Sequence, residues 1–313
     1  MFLRMLPFLI AAVLVLAWWP WPRAPARLDA AEVYAALALP LSAPEAPLRV
    51  YHLGHSLVGR DMPAMLAQLA PQGHRYDSQL GWGTSLKAHW EPGEPINGFE
   101  AENAHPRFRA AREAIGSGEY DAVVLTEMVE LRDAVRYHDS GRYLAIWANL
   151  AHEDDPATRV YLYESWHRLD DEGGWLERLD TDLPELWRGQ VLRPAVARTG
   201  RPIYLIPAGQ VMARVVRRIE AAGGIGGLNG REDLFARDGR GGIDPIHVND
   251  LGAYLVALTH YAVLYHRSPV GLPRALLRAD GSPATAPTPE AARLIQETVW
   301  EVVTSTPGTG VLK

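Results

Sequence analysis

Residues 48–57 read LRVYHLGHSL. Leu48 to Leu53 is an apolar run containing a valine and a tyrosine, the composition of a buried strand. It stops at Gly54, where a missing side chain allows a sharp turn. From Asp61 onward, Met62, Met65, Leu66 and Leu69 recur at helical spacing. The order is therefore strand, tight turn, helix, with the Ser56 hydroxyl held in the turn. Taken alone, that hydroxyl reads as a helix cap, for serine is a preferred N-cap residue. The same position would also mount an exposed nucleophile.

Further along, strand-like runs alternate with helix-like ones. Strands are expected at Leu48 to Leu53, Arg75 to Leu80, Ala122 to Thr126, Arg159 to Tyr163 and Ile203 to Ile206, each followed by amphipathic sequence. AVVLT, RVYLY and IYLI are almost continuously apolar, as parallel strands covered on both faces should be. Helices are expected at Pro106 to Ile115, Arg142 to Ala151, Leu183 to Ala197, Val211 to Ala221, Leu251 to Tyr265 and Ala291 to Val303. The fold class is α/β, a three-layer α/β/α sandwich around a mostly parallel five-stranded sheet. Such open sheets bind ligands beyond the carboxyl ends of their strands, and Ser56 lies at one of them.

With 313 residues, 48% of them hydrophobic, the chain can bury a sizeable core. Its 31 basic residues are outnumbered by 37 acidic ones, a net charge of −6 that offers no global attraction to nucleic acid. The absence of cysteine excludes disulfides, Cys-ligated zinc and a thiol nucleophile. The N-terminus, MFLRMLPFLIAAVLVLAWWPWPRAPAR, has an early Arg4 and an apolar stretch from Met5 to Trp19. That stretch suits a signal peptide and is short of the ~20 residues that comfortably span a bilayer. Ala24-Pro25-Ala26 resembles a small-residue cleavage site, whereas Trp18, Trp19 and Trp21 suit the interfacial belt of an uncleaved anchor. Residues 1–26 are thus expected to be a signal peptide or anchor, 27–47 a Pro/Ala-rich linker with a short helix around Ala30 to Leu39, and 48–313 the domain. That domain would work outside the cytoplasm, in the periplasm or beyond, free or held at the inner membrane by residues 5–21.

Far downstream lies GGIDPIHVNDLGAYLVALTHY. Asp244 and His247 flank a proline that restricts the backbone, just before a helix that Asn249 or Asp250 could cap. A serine hydroxyl is a weak nucleophile until an imidazole takes its proton, and that imidazole needs a carboxylate to fix its tautomer. His247 and Asp244 have the chemistry for those two roles, although an Asp-x-x-His match among 11 histidines arises easily by chance.

The conjunction is more specific. A Gly-x-Ser turn after the first strand (Gly54-His55-Ser56-Leu57) and Asp244-Pro245-Ile246-His247 before the last long α/β/α helix resemble the SGNH, or GDSL-like, hydrolase superfamily, across roughly Leu48 to Arg267. GWGTSLKAHW (Gly81 to Trp90) looks like the block that supplies a glycine amide, with Gly83 the candidate. The resemblance implies a flavodoxin-like fold and a serine esterase with Ser56 as nucleophile, His247 as base and Asp244 behind it. The amides of Ser56 and Gly83 would hold the oxyanion. The α/β-hydrolase elbow Gly-x-Ser-x-Gly fits less well, because Gly59 comes one residue too late. The departure is in the third block, where the family places an oxyanion-binding asparagine and this chain has VVLTEMVELRD. Glu127 falls there as the oxyanion candidate, and since an ionised glutamate cannot donate a hydrogen bond, either it is protonated, or another donor serves, or the site uses only the amides of Ser56 and Gly83.

Other residues near strand ends are candidates for substrate contact: His55 beside the nucleophile, Trp82 and His89 around Gly83, and Glu164 and Trp166 after the fourth strand. Tryptophan faces stack on sugar rings, which suits a carbohydrate ester, but each could equally be a core or rim residue. The GGIGG run from Gly223 to Gly227 lacks a P-loop lysine and is expected to be a loop beside the site. No metal, cofactor or nucleic-acid partner is expected. The expected partner is a small-molecule or glycan ester from which a small acyl group, acetyl above all, is removed. Two alternatives stay open: acyl transfer to a sugar hydroxyl, and an envelope protein that binds carbohydrate or a partner without turnover.

Overall fold

The computed structural model describes residues 29–312. The expected signal or anchor at residues 1–26 lies outside them. Helix α1 (Ala30–Leu37) is capped by Asp29, and β1 (Arg49–His55) follows. Next come α2 (Asp61–Leu69), β2 (Arg75–Gly81) and three short helices, α3 (Leu86–Trp90), α4 (Phe99–Asn103) and α5 (Ala111–Ile115). β3 (Ala122–Leu125), α6 (Leu131–Tyr137), α7 (Ser140–Ala151) and β4 (Arg159–Glu164) complete the middle of the sheet. A long helical stretch begins with α8 (Trp175–Asp182), widens over Leu183–Leu192 and ends as α9 (Arg193–Thr199). Then come β5 (Tyr204–Pro207), α10 (Ala208–Ala221), β6 (Phe235–Arg237), β7 (Ile243–Val248), α11 (Asp250–Tyr265) and α12 (Pro289–Ser305).

The five expected strands form one all-parallel sheet in the order β2-β1-β3-β4-β5. This is the 2-1-3-4-5 arrangement of flavodoxin-like folds, whose strand order reverses between β1 and β3. The alternation of side chains along each strand divides the core in two. Val50, Val124, Tyr161, Tyr163 and Ile206 pack under α2, α10, α11 and α12. Tyr51, Leu53, Val123, Leu125, Leu162 and Leu205 pack under α7 and α9. Both sheet faces are covered, which is why these strands tolerate continuous apolar sequence. The chain is a three-layer α/β/α sandwich.

Four expectations are revised. The helix expected from Pro106 is confined to Ala111–Ile115, because Arg107 to Arg109 run alongside β2, exchanging backbone hydrogen bonds with Ser78. Residues 30–41 are not a free linker: Tyr34 is buried, the Tyr204 hydroxyl donates to Leu39 O at 3.1 Å, and Leu41 N donates to Gly310 O at 2.8 Å. Asp244 to His247 lie in a strand, since β6 and β7 form a separate antiparallel ribbon. The GGIGG loop packs on the start of α12, where the Thr288 hydroxyl donates to Gly226 O at 2.7 Å, and none of it lines the cavity beside Ser56.

Candidate active site

The turn after β1 is built by two amides, Val58 N and Gly59 N, that donate to His55 O at 2.9 and 3.3 Å. Gly59 closes it in the left-handed region at φ +58°. Gly54 has a different reason for being glycine from the one its place in the sequence suggests. It lies within β1, and a β-carbon there would sit 2.5 Å from Thr126 Cγ2 on the neighbouring strand segment. Close approach requires it, not a turn. Nor does Ser56 cap the helix: α2 starts at Asp61, and no side chain caps its Arg60 N-cap position. The Ser56 hydroxyl instead meets His247, with Oγ 3.0 Å from Nε2.

His247 is held from behind by Asp244, whose Oδ2 lies 2.8 Å from the ring Nδ1. The other carboxylate oxygen, Oδ1, accepts from the amides of Ile246 and His247, each at 3.0 Å. These two bonds explain the Asp-Pro-Ile-His spacing, because they fold the segment so that the carboxylate reaches the imidazole three residues on. Burial would raise the Asp244 carboxyl, but the two amides and the His247 ring outweigh it and hold the group below its ordinary value. His247 leaves 45% of its side chain exposed to incoming molecules.

Both groups line a cavity of about 560 Å³ that also takes in Trp82 and Gly83, the apolar Leu57, Val129 and Ile246, and the charged Glu102 and Arg168. Gly83 adopts φ +54° with nothing within 4 Å of where a β-carbon would stand. Among the described residues, neither the Ser56 nor the Gly83 amide donates to another protein group. Both residues line the cavity, and an unpaired backbone N–H is the kind of donor that an oxyanion takes.

Of the residues expected to touch substrate, Trp82 and His55 line this cavity. Trp82 is 55% exposed and donates through Nε1 to Glu102 at 2.8 Å. His55 is buried, with Nε2 2.8 Å from Glu127 O and Nδ1 accepting from Leu57 N at 3.4 Å, so it braces the turn that carries Ser56. His89, Glu164 and Trp166 do not line it. His89 is buried beneath, its Nε2 2.8 Å from Gly54 O and its Nδ1 3.0 Å from Gln79 Nε2. Glu164 is enclosed with Gln210, whose backbone N and side-chain Nε2 both donate to it at 3.2 Å. Trp166 is enclosed too and donates to Ile246 O at 2.8 Å. Strand-end location brought these three near the site, but their polar atoms are used by the protein itself.

Glu127 is likewise corrected. It is fully buried, does not line the cavity, and its Oε1 accepts from Met128 N at 2.8 Å and Leu86 N at 3.2 Å, anchoring the start of α3. Burial pushes its carboxyl up to about 7, against the pull of the Met128 amide, the Ser140 hydroxyl and the Leu86 amide. Glu127 therefore gives no donor to the pocket. The lining residues missed in the sequence are of two kinds. Leu57, Ile246, Val129 and Arg168 adjoin motif residues or follow β3 and β4, so the strand-end rule could have found them. Glu102 arrives on α4, and no local signal marks it.

No protein-family model matches the chain, and no curated protein matches its sequence. Among solved structures, a DUF4886 family protein from Bacteroides uniformis superposes with a TM-score of 0.53, covering 85% of this chain and 100% of its own, at 14% identity. That likeness is one of fold. A gut microbial diltiazem-metabolizing enzyme aligns at a TM-score of 0.37 and 11% identity, over 72% of this chain and 49% of the enzyme.

Proposed function

We propose that the chain is an exported serine esterase of the SGNH type that removes a small acyl group, acetyl in the simplest case, from a carbohydrate ester. The observation that carries this reading is the unbroken relay Ser56–His247–Asp244, at 3.0 and 2.8 Å, on the wall of an open cavity. In the proposed reaction, His247 Nε2 takes the Ser56 proton as Oγ attacks the ester carbonyl carbon. The amides of Ser56 and Gly83 receive the oxyanion. The imidazolium returns the proton to the departing alcohol, leaving an acyl-serine. A water, deprotonated by the same ring, then attacks the acyl carbon, the acyl–Oγ bond breaks to free the acid, and the ring returns its proton to Ser56 Oγ. An acceptor sugar hydroxyl in place of that water would make the reaction an acyl transfer.

Glu127, turned away from the cavity, favours a second reading, a carbohydrate- or partner-binding protein of the same fold. Losing one oxyanion donor costs on the order of 100- to 1000-fold in rate. One experiment separates the two. Purified protein without its first ~26 residues, a signal-peptide length, is expected to hydrolyse p-nitrophenyl acetate and to take a fluorophosphonate label that Ser56→Ala abolishes. A folded sample with neither activity, or labelling that survives the substitution, rejects the esterase.

A further inference from the structure

The ribbon that carries His247 is not part of the main sheet, so something else must set the imidazole against Ser56. Two hydrogen bonds from the loop after β4 do so: Trp166 Nε1 donates to Ile246 O and Leu169 N donates to Pro245 O, both at 2.8 Å. They grip the backbone between Asp244 and His247. That loop is in turn tied to α8. Trp175 Nε1 donates to His167 O at 3.0 Å, and His167 Nε2 lies 3.0 Å from Asp182 Oδ2.

At the centre of the tie sits Arg178, only 2% exposed. Its guanidinium donates to three carboxylates: Asp171 of the β4 loop at 2.6 Å, Asp182 at 2.6 Å, and both oxygens of Glu130, one of them at 2.7 Å. Glu130 belongs to the loop after β3 and is the neighbour of Val129, which lines the cavity. One planar, permanently charged fork therefore joins the two loops that wall the site. Lysine, a point charge on a flexible stem, cannot hold three carboxylates in that geometry. Removing the fork would also take that counter-charge from the buried Asp182 and from the part-buried Asp171 and Glu130.

We infer that Arg178 is a positioning residue for the reaction, acting through Asp171, Glu130 and the Trp166–Ile246 bond to hold His247 within reach of Ser56. This rests on the esterase reading for its kinetic consequence, but not for its structural one. A misplacement of about 1 Å far from the chemistry can cost on the order of 100-fold in rate. Arg178→Lys and Trp166→Phe are therefore each expected to lower kcat on p-nitrophenyl acetate by roughly 10- to 100-fold, with KM changed less than about twofold. Because the two residues act in series, the double variant should lose no more than the worse single one.

The structural readout is hydrogen exchange at the Leu169 amide, which should lose about tenfold or more of its protection in Arg178→Lys if the tie is real. If that variant does not fold, the milder Asp171→Asn carries both measurements. Unchanged kcat in a folded Arg178→Lys, multiplicative losses in the double variant, or full Leu169 protection overturns the inference. A wild-type protein that takes no label at Ser56 overturns the esterase reading instead, and the Leu169 exchange then decides the tie on its own.

Discussion

The sharpest test of the relay is Asp244→Asn, because the surroundings of that carboxylate dictate which way an amide would point. Asp244 Oδ1 accepts from two backbone amides at 3.0 Å, while Oδ2 faces the His247 Nδ1 at 2.8 Å. An asparagine there must keep its carbonyl oxygen on the two amides, since turning it would set its NH₂ against two N–H donors. The NH₂ then faces Nδ1, which must become an acceptor, and the single ring proton moves to Nε2. There it points at Ser56 Oγ, and the ring can no longer take the serine proton. The analogous change in a serine protease drops kcat by about 10⁴ through the wrong tautomer. At ~1.36 kcal/mol per decade that is about 5.5 kcal/mol of barrier. The two amide bonds survive but, like the bond to the ring, exchange a charged partner for a neutral one, so the variant should still fold while losing on the order of 1–3 kcal/mol over the three bonds. The assay is p-nitrophenyl acetate turnover and fluorophosphonate labelling of wild type and variant, beside their melting curves. A folded Asp244→Asn within tenfold of wild type would refute the assignment of base and carboxylate.

Gly54→Ala should destabilise the protein by about 1–3 kcal/mol, the range for overpacking, since the new methyl meets Thr126 Cγ2 at 2.5 Å and Val58 Cγ2 at 2.9 Å. Thr126→Ser, which removes that γ-methyl and keeps the hydroxyl that donates to Tyr163 O at 2.8 Å, should recover part of the loss in denaturant melts; no recovery would reject the contact as the cause. Stability should also peak near pH 6.5. Burial lowers His55, His74, His89 and His260 to about 4 from an ordinary 6.5, so unfolded histidines bind protons that native ones refuse, and stability falls as pH drops from 6.5 to 4, by roughly 3 kcal/mol per fully buried group. Burial raises Glu127 to about 7 and Glu164 to about 8, so the unfolded chain sheds protons first and the contribution of these two groups falls as pH rises from 4.5 to 8; below pH 6.5 the four histidines outweigh the two acids, and above it the acids govern. Glu164→Gln, a stand-in for the neutral acid, should flatten the alkaline limb; an unchanged limb in pH-resolved melts would remove Glu164 from the account.

What could be read in the chain follows the range of the forces involved. The five strands and most long helices were legible because burial on two faces writes itself into short, local apolar patterns. The meeting of Ser56 and His247 was legible through two short motifs and a topology that brings their ends together. The ribbon of β6 and β7 was not, because Asp244 to Val248 alternates no clear apolar face and its residues are only half-buried. The Arg107 to Arg109 segment was misread because an edge of β2, remote in sequence, offers it backbone partners that its own composition does not announce. The least legible part was function at single residues. His89, Glu164 and Trp166 were correctly placed near strand ends, but a strand end has a front and a back. Which side a polar atom serves depends on partners such as Gly54 O, Gln210 and Ile246 O.

Glu127 extends this point into energetics. A carboxyl buried this deeply is retained at a cost, yet its backbone contacts are structural: it fastens Leu86 at the start of α3 and Met128 in the loop that leads to Glu130. The same loop is the one that Arg178 reaches. The segment after β3 thus anchors the wall of the pocket. Under the esterase reading, oxyanion stabilisation falls to the Ser56 and Gly83 amides alone, and the missing third donor forgoes about 2.7–4 kcal/mol of transition-state stabilisation. Under that same reading, activated or small esters, whose barriers are low to begin with, are the expected substrates rather than hindered ones.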